Sequence, residues 1–112
     1  MAPYTFIENI EAEVPVPENG VLSRTLFNDD ALKVVAFAFS AGQELSPHTA
    51  PMAAVLQFLK GEAELTMGSE RKIVRAGSLV RMPPGLSHGI VAKTSLVMLL
   101  SMLKQVRDEK SP

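Results

Sequence analysis

The side chains most able to do chemistry in this chain are its two histidines, His48 and His88. Imidazole is the commonest side-chain ligand for metal ions and a general acid or base near neutral pH. A mononuclear metal site ordinarily uses three or four protein ligands, and the chain has no cysteine to supply a thiolate. The pair therefore indicates an incomplete metal site, an acid–base pair or a hydrogen-bonded polar pocket.

Both histidines lie among short apolar segments that turn residues separate. Residues 62–67 alternate between apolar and polar side chains, which predicts a half-buried antiparallel strand. Residues 32–39 are mostly apolar and include β-branched and aromatic side chains, which predicts a strand covered on both faces. Further strands are predicted at residues 21–27, 43–48, 55–59, 71–75, 79–82, 88–91 and 95–103. Short strands with Gly, Pro and Asn turns, and no convincing helix, are typical of an all-β sandwich or barrel.

The second histidine ends a motif of four residues with fixed spacing. Gly77 is followed after five residues by Pro83, then by Gly85 and, after two more residues, by His88. This pattern resembles the second conserved motif of the cupin family without a gap. The asparagine that cupins usually carry four residues after the histidine is replaced here by Ala92.

The first histidine lies in a stretch that resembles the first cupin motif. Gly42, His48 and Gly61 match the family pattern. The positions of the second histidine and of the glutamate fall on Ala50 and Ala54, which have no metal-binding side chain. Together with the strand pattern, the resemblance extends over roughly residues 20–103.

The resemblance implies a jelly-roll barrel, also called a double-stranded β-helix, with a ligand pocket inside. Cupins typically hold one divalent transition metal ion, such as Zn, Ni, Mn, Fe or Cu, with three histidines and one glutamate. Carried over to this chain, the resemblance leaves His48 and His88 as the metal ligands. The alternative is a barrel that has lost its metal and kept an apolar pocket.

Five further residues are candidates for lining the pocket. Glu44 and Ser46 share strand parity with the first histidine and would point inward if that strand is regular. Met52 and Met82 lie near the histidines in sequence, and their thioethers would suit Cu(I). Together with Phe58 they could instead fill the barrel, because methionine is commonly an adaptable core residue.

The chain is predicted to form one domain, because 112 residues suffice for one core but not for two. Residues 1–20 form an N-terminal arm of that domain, residues 21–103 the cupin β-barrel and residues 104–112 a polar tail. Valine and proline alternate at residues 14–17, which predicts an edge strand or an extended strap. Several strands are apolar on both faces, so the arm and a second copy of the chain are the available covers, and we expect a homodimer.

Charge and hydrophobicity exclude several classes of partner. Eleven basic residues balance twelve acidic ones, so no basic surface for nucleic acid is expected. No apolar run approaches the roughly 20 residues that a membrane helix needs. The N-terminus lacks the basic start and apolar run of a signal peptide. With no cysteine in the chain, these features predict a cytoplasmic protein.

Several functions are compatible with the sequence. The first is a small-molecule-binding cupin with a divalent metal held by both histidines. The second is a metal-free, non-catalytic ligand-binding or sensory cupin, and the third is a structural dimer whose barrel is filled. A metal-dependent dioxygenase or isomerase follows from family analogy alone, so the sequence leaves open whether the protein is an enzyme.

Overall fold

A computed structural model describes residues 3–104 of the chain. Within that range the chain forms one short helix and nine strands. In chain order they are α1 (Ile10–Glu13), β1 (Val21–Asn28), β2 (Leu32–Phe39), β3 (Glu44–His48), β4 (Ala53–Lys60), β5 (Glu62–Met67), β6 (Glu70–Arg75), β7 (Leu79–Met82), β8 (His88–Ala92) and β9 (Leu96–Leu103). Beyond Lys104, the predicted polar tail lies outside the described residues.

The strands form two antiparallel sheets that pack face to face. One sheet has five strands in the order β1-β2-β9-β4-β7, and the other has four in the order β3-β8-β5-β6. Strands that are distant in sequence, such as β2 and β9, are neighbours in the sheet, as expected when the chain crosses between two sheets. The all-β architecture predicted from the sequence is confirmed.

The main core fills the space between the two sheets. Both sheets contribute to it, because alternate side chains of each strand point to the inner face. The largest fully buried members of this core are Phe39, Phe58, Leu65, Met82 and Leu96. Burial of each such side chain stabilises the fold by about 1.5–3 kcal/mol relative to leaving it exposed.

Strand β2 is covered on both faces, as its composition predicts. Phe39 packs in the core between the sheets. Ala36 and Ala38, on the opposite face, form a second buried cluster with Val97 of β9 and Val14 of the N-terminal arm. The arm therefore covers the outer face of the five-stranded sheet.

The helix α1 in this arm was not expected from the sequence. It comprises four residues, too few for a helical periodicity to be visible. The side chain of Asn9 accepts a hydrogen bond from the backbone amide of Glu11 and caps the turn. Residues 14–17 follow it without strand pairing, so the segment is a strap rather than an edge strand. No helix in residues 3–104 is long and apolar enough to cross a membrane.

The turn between β1 and β2 is closed by the carboxylate of Asp29. Its Oδ1 accepts hydrogen bonds from the backbone amides of Leu32 and Ala31, at 3.0 and 2.8 Å. These two bonds favour the charged carboxylate and lower the pKa of Asp29 below its ordinary value of 3.8. Because the folded pKa is the lower one, the stabilisation is present above pH 3.8 and is lost as the pH falls through the folded pKa.

We expect Asp29→Asn to remove this acid-sensitive contribution while keeping an acceptor oxygen in the turn. The free energies of unfolding of the two proteins should differ at pH 7 and converge as the pH falls below about 4. Urea unfolding at several pH values measures the free energy of unfolding of each protein. A difference that stays constant down to pH 2.5 would mean that the charge of Asp29 does not act through this turn.

Candidate functional site

The two histidines are brought side by side at one end of the four-stranded sheet. His48 is the last residue of β3 and His88 the first residue of β8, and they are directly opposite in the antiparallel pairing. Their ring centroids lie 4.4 Å apart, with the ring planes tilted by 54°. His88 is half-buried and His48 is exposed. The structure therefore joins two residues that are forty positions apart into one imidazole pair at the mouth of the barrel.

Backbone carbonyls select the same tautomer for both rings. The Nδ1 of His48 lies 2.9 Å from the carbonyl oxygen of Ser46, and the Nδ1 of His88 lies 3.0 Å from that of Leu86. A carbonyl oxygen only accepts, so each Nδ1 carries the proton and donates it. In the neutral ring this leaves the lone pair on Nε2. A backbone partner on the other ring nitrogen is the arrangement usually found for metal-binding histidines.

A bulge in β3 turns His48 toward the interior. Leu45 pairs with Ile90, but the next paired residues are His48 and His88, so β3 has one residue more than β8 between these pairs. The extra residue reverses the parity, and Leu45 and His48 line the same cavity. Gly89 faces this bulge, and a Cβ there would lie 3.0 Å from the backbone nitrogen of Pro47. The absence of a side chain at Gly89 therefore permits the close approach of β3.

Because of this bulge, Glu44 and Ser46 are not among the residues that line the cavity. Both side chains are exposed. The prediction that they point inward assumed a regular strand, and the strand is irregular. Pro47 was the available signal, since a proline inside a strand is confined to edges and bulges.

The histidine pair lies at a cavity of about 40 Å³ inside the barrel. One water needs roughly 10–15 Å³ on the same measure, so this cavity accommodates about three groups of that size. Apart from the two imidazoles its walls are almost wholly apolar and come from both sheets: Phe37, Leu45, Leu56, Leu65, Gly89, Ile90, Met98 and Leu100. The cavity therefore suits a single ion or a very small molecule in this conformation.

The other predicted pocket residues lie elsewhere. Phe58 and Met82 are fully buried in the core and do not line the cavity. They fill the barrel instead, which is why the cavity is small. Met52 borders a separate surface groove next to Pro84 and Leu103. Sequence reasoning missed Met98, whose inward position follows from the register of β9 and not from any motif.

The residues present fit a metal ion only in part. Ala54, at the family's glutamate position, is buried between Met82 and Met102 in the five-stranded sheet. Within residues 3–104 no group of three or more His, Cys, Asp or Glu side chains could hold a metal ion. This part of the chain therefore offers two imidazole nitrogen donors, and any other imidazole or carboxylate ligand would have to come from outside it.

The antiparallel barrel and the histidine pair at its mouth define the class of this protein. Residues 36–102 match the family model of the cupin domain, and the chain belongs to the cupin family. The fold class predicted from the sequence, a double-stranded β-helix or jelly-roll barrel, is thereby confirmed. Among curated proteins, no match is found.

Several solved structures are similar to this chain. A conserved protein of unknown function from Streptococcus pyogenes is 30% identical, with 95% of this chain and 93% of that chain covered and a TM-score of 0.84. A cupin superfamily protein from Desulfitobacterium hafniense is 23% identical, with 92% and 94% covered and a TM-score of 0.83. An RmlC-like cupin with a double-stranded β-helix fold from Methanocaldococcus jannaschii is 18% identical, with 77% and 82% covered and a TM-score of 0.71. The last two similarities concern the fold alone.

Proposed function

We propose that this cupin binds one transition metal ion through the Nε2 atoms of His48 and His88, with a small molecule or water completing the coordination. The observation that carries the proposal is the pair itself: the rings lie 4.4 Å apart and each Nδ1 donates to a backbone carbonyl. Both Nε2 lone pairs are thereby left for a ligand. When bound, the metal would supply a Lewis acid with coordination positions open to a small molecule.

The chain's own residues have a limited role in this proposal. The two imidazoles hold the ion, and the two backbone carbonyls keep the rings in the tautomer that binds metal. The apolar walls, such as Leu56 and Leu65, exclude bulk water from the inner side of the cavity. Within residues 3–104 no carboxylate lines the cavity, so proton transfer by this part of the chain would have to use an imidazole, the ligand or water.

Equilibrium dialysis of the purified protein against Zn²⁺, Ni²⁺, Mn²⁺, Fe²⁺ or Cu²⁺, and against Cu(I) without oxygen, tests the proposal. We expect close to one equivalent of at least one of these metals per chain, released when His48 is replaced by alanine. Absence of any bound metal would contradict the proposal. That result would favour the second candidate, a metal-free cupin that binds a small organic ligand. The apolar lining of the cavity and the alanines at positions 50 and 54 support this candidate.

We also propose that the protein is a homodimer, assembled through the outer face that the arm covers. In the arm, the side chains of Tyr4 and Phe6 have 71% and 76% of their surface exposed. Beside them lies an apolar groove of about 260 Å³, lined among others by Ile7, Leu26 and Leu32. In a two-fold dimer the protruding aromatic side chains of each chain would fit into the groove of the other. A two-fold interface between identical chains requires such a self-complementary surface.

The wild-type protein is therefore expected to have a mass in solution of twice 12.1 kDa. Phe6→Ser should shift the mass toward that of a single chain, because the arm would lose its most exposed aromatic anchor. Light scattering after size-exclusion chromatography measures both. Leu79→Ser is the control, since Leu79 is 65% exposed but lies on β7, at the opposite edge of the five-stranded sheet. A wild-type mass of 12.1 kDa would contradict the proposal.

A further inference from the structure

Among the described residues that line the cavity, one more besides the two histidines has a side chain able to bind a metal ion: Met98, which carries a thioether sulfur. Met98 lies on β9, in the sheet opposite the histidines, and only 3% of its surface is exposed. It lines the same cavity of about 40 Å³ as His48 and His88. The remaining lining side chains are aliphatic or aromatic hydrocarbons, apart from Gly89, which has none. In the part of the chain that the structure describes, the residues at this cavity with donor side chains are thus two histidines and one methionine.

This donor set is selective for a soft ion. Thioether sulfur binds Cu(I) well, whereas Mn²⁺ and similar hard ions prefer carboxylate, carbonyl or water oxygens. Cu(I) is a closed-shell ion that accepts three ligands in a trigonal arrangement. Two imidazoles and a thioether meet that requirement without the third histidine and the glutamate, whose positions fall on Ala50 and Ala54.

The charge of the ion also favours Cu(I) over a divalent metal ion. An imidazole that binds a metal ion through Nε2 and a thioether both lack charge, and no acidic side chain of residues 3–104 lines the cavity. A bound ion would therefore keep its full charge among apolar walls. The Born free energy of moving an ion out of water scales with the square of its charge. For a divalent ion it is therefore about four times that of a monovalent ion of the same size.

We propose that the cavity binds a single Cu(I) ion through Nε2 of His48, Nε2 of His88 and Sδ of Met98. The inference rests on the proposed metal-binding function and narrows it to a monovalent, soft ion with a named third ligand. It also changes the sequence-based expectation, in which Met52 and Met82 were the thioethers considered. Met52 borders a separate groove and Met82 is buried away from the cavity.

Packing alone does not distinguish Met98 from its neighbours, because methionine commonly fills gaps in cores. Met67, Met82 and Met102 belong to the same core as Met98, but they do not line the cavity. Met82 provides the matched control, since it is equally buried, with 1% of its surface exposed. Replacement of either methionine by leucine conserves volume and is expected to be tolerated.

The test is a competition for Cu(I) between the full chain and a coloured Cu(I) chelator such as bicinchoninate, without oxygen and with ascorbate present. We expect the wild-type protein to take one equivalent of Cu(I). Met98→Leu should weaken the affinity for Cu(I) by at least about tenfold while leaving the affinity for Zn²⁺ unchanged. Met82→Leu should change neither. X-ray absorption of the wild-type Cu(I) protein should give one sulfur and two nitrogens around the metal.

Each other outcome has a definite meaning. If Zn²⁺ or Ni²⁺ binds through the histidines and Cu(I) does not, this inference fails and the proposed function stands. If no metal binds, both fail. If Met98→Leu binds Cu(I) as tightly as the wild type, the thioether is not a ligand. If Met98→Leu does not fold, X-ray absorption of the wild-type Cu(I) protein decides whether sulfur is a ligand. A metal surrounded by nitrogen and oxygen alone overturns the inference.

Discussion

Replacement of Gly61 by alanine is expected to lower the free energy of unfolding by about 2–5 kcal/mol. Gly61 joins β4 to β5 with φ at +88°, a conformation that costs an L-residue free energy. A Cβ at this position would also overlap the backbone carbonyl oxygen of Ser95 and approach the Thr94 hydroxyl to 2.9 Å. Both costs add, because a carbonyl that belongs to the backbone cannot move aside like the end of a flexible side chain.

The neighbouring hydrogen bonds explain why this turn cannot relax easily. The amide of Glu62 donates to the Thr94 hydroxyl at 3.0 Å, and the amide of Lys93 donates to the Glu62 carbonyl at 2.9 Å. Moving Ser95 away from position 61 would stretch these bonds. Since a domain of this size is typically stable by only about 5–15 kcal/mol, the variant should be close to unfolding.

Urea unfolding of Gly61→Ala and of Gly77→Ala separates the cost of the positive φ from the cost of the overlap with Ser95. Gly77 has φ at +97°, but no atom lies within 4 Å of the Cβ position. Its replacement therefore carries the conformational cost alone, about 1–2 kcal/mol. Equal destabilisation by the two variants would contradict the close contact between Gly61 and Ser95.

The second large effect is expected on metal binding, when either histidine is replaced. His48→Ala and His88→Ala should each weaken binding by at least about 100-fold, more than the loss of a residue that only supports a ligand. The double variant should bind no more weakly than either single variant. The reason is that one imidazole, with or without the Met98 thioether, is expected to hold a metal ion too weakly for its further loss to be measured.

Ser46→Ala is the matched control for these variants. Ser46 is exposed on β3 two residues before His48, and the His48 ring donates to its backbone carbonyl, which alanine retains. Binding should therefore be unchanged. Isothermal titration calorimetry with the most tightly bound metal, together with circular dichroism to check folding, measures these effects. A single variant that binds metal as tightly as the wild type would mean that the histidines belong to separate sites.

Much of the fold was accessible from the sequence because its signals are local. The clean alternation at residues 62–67 predicted β5, and the apolar residues 32–39 predicted β2 with its two covered faces. The proximity of His48 and His88 followed from their motif positions. Helix α1 was missed because a single capped turn has no periodicity to detect.

The residues of the cavity were less accessible, for two physical reasons. A single extra residue in β3 between Leu45 and His48 puts His48 on the same side as Leu45, and Glu44 and Ser46 therefore do not share the cavity with it. Met98 reaches the cavity from the opposite sheet, and such a contact depends on the packing of two sheets. Neither a motif nor a strand pattern contains that information.

Nitrogen NMR of the two imidazole rings tests most directly whether His48 and His88 form one metal site. With ¹⁵N-labelled histidine at a pH where both rings are neutral, we expect both rings to carry the proton on Nδ1. One equivalent of Cu(I) or Zn²⁺, which are both diamagnetic, should then shift the Nε2 resonances of both rings, and the two shifts should saturate together. Rings protonated on Nε2, or a response from only one ring or from neither, would contradict the account.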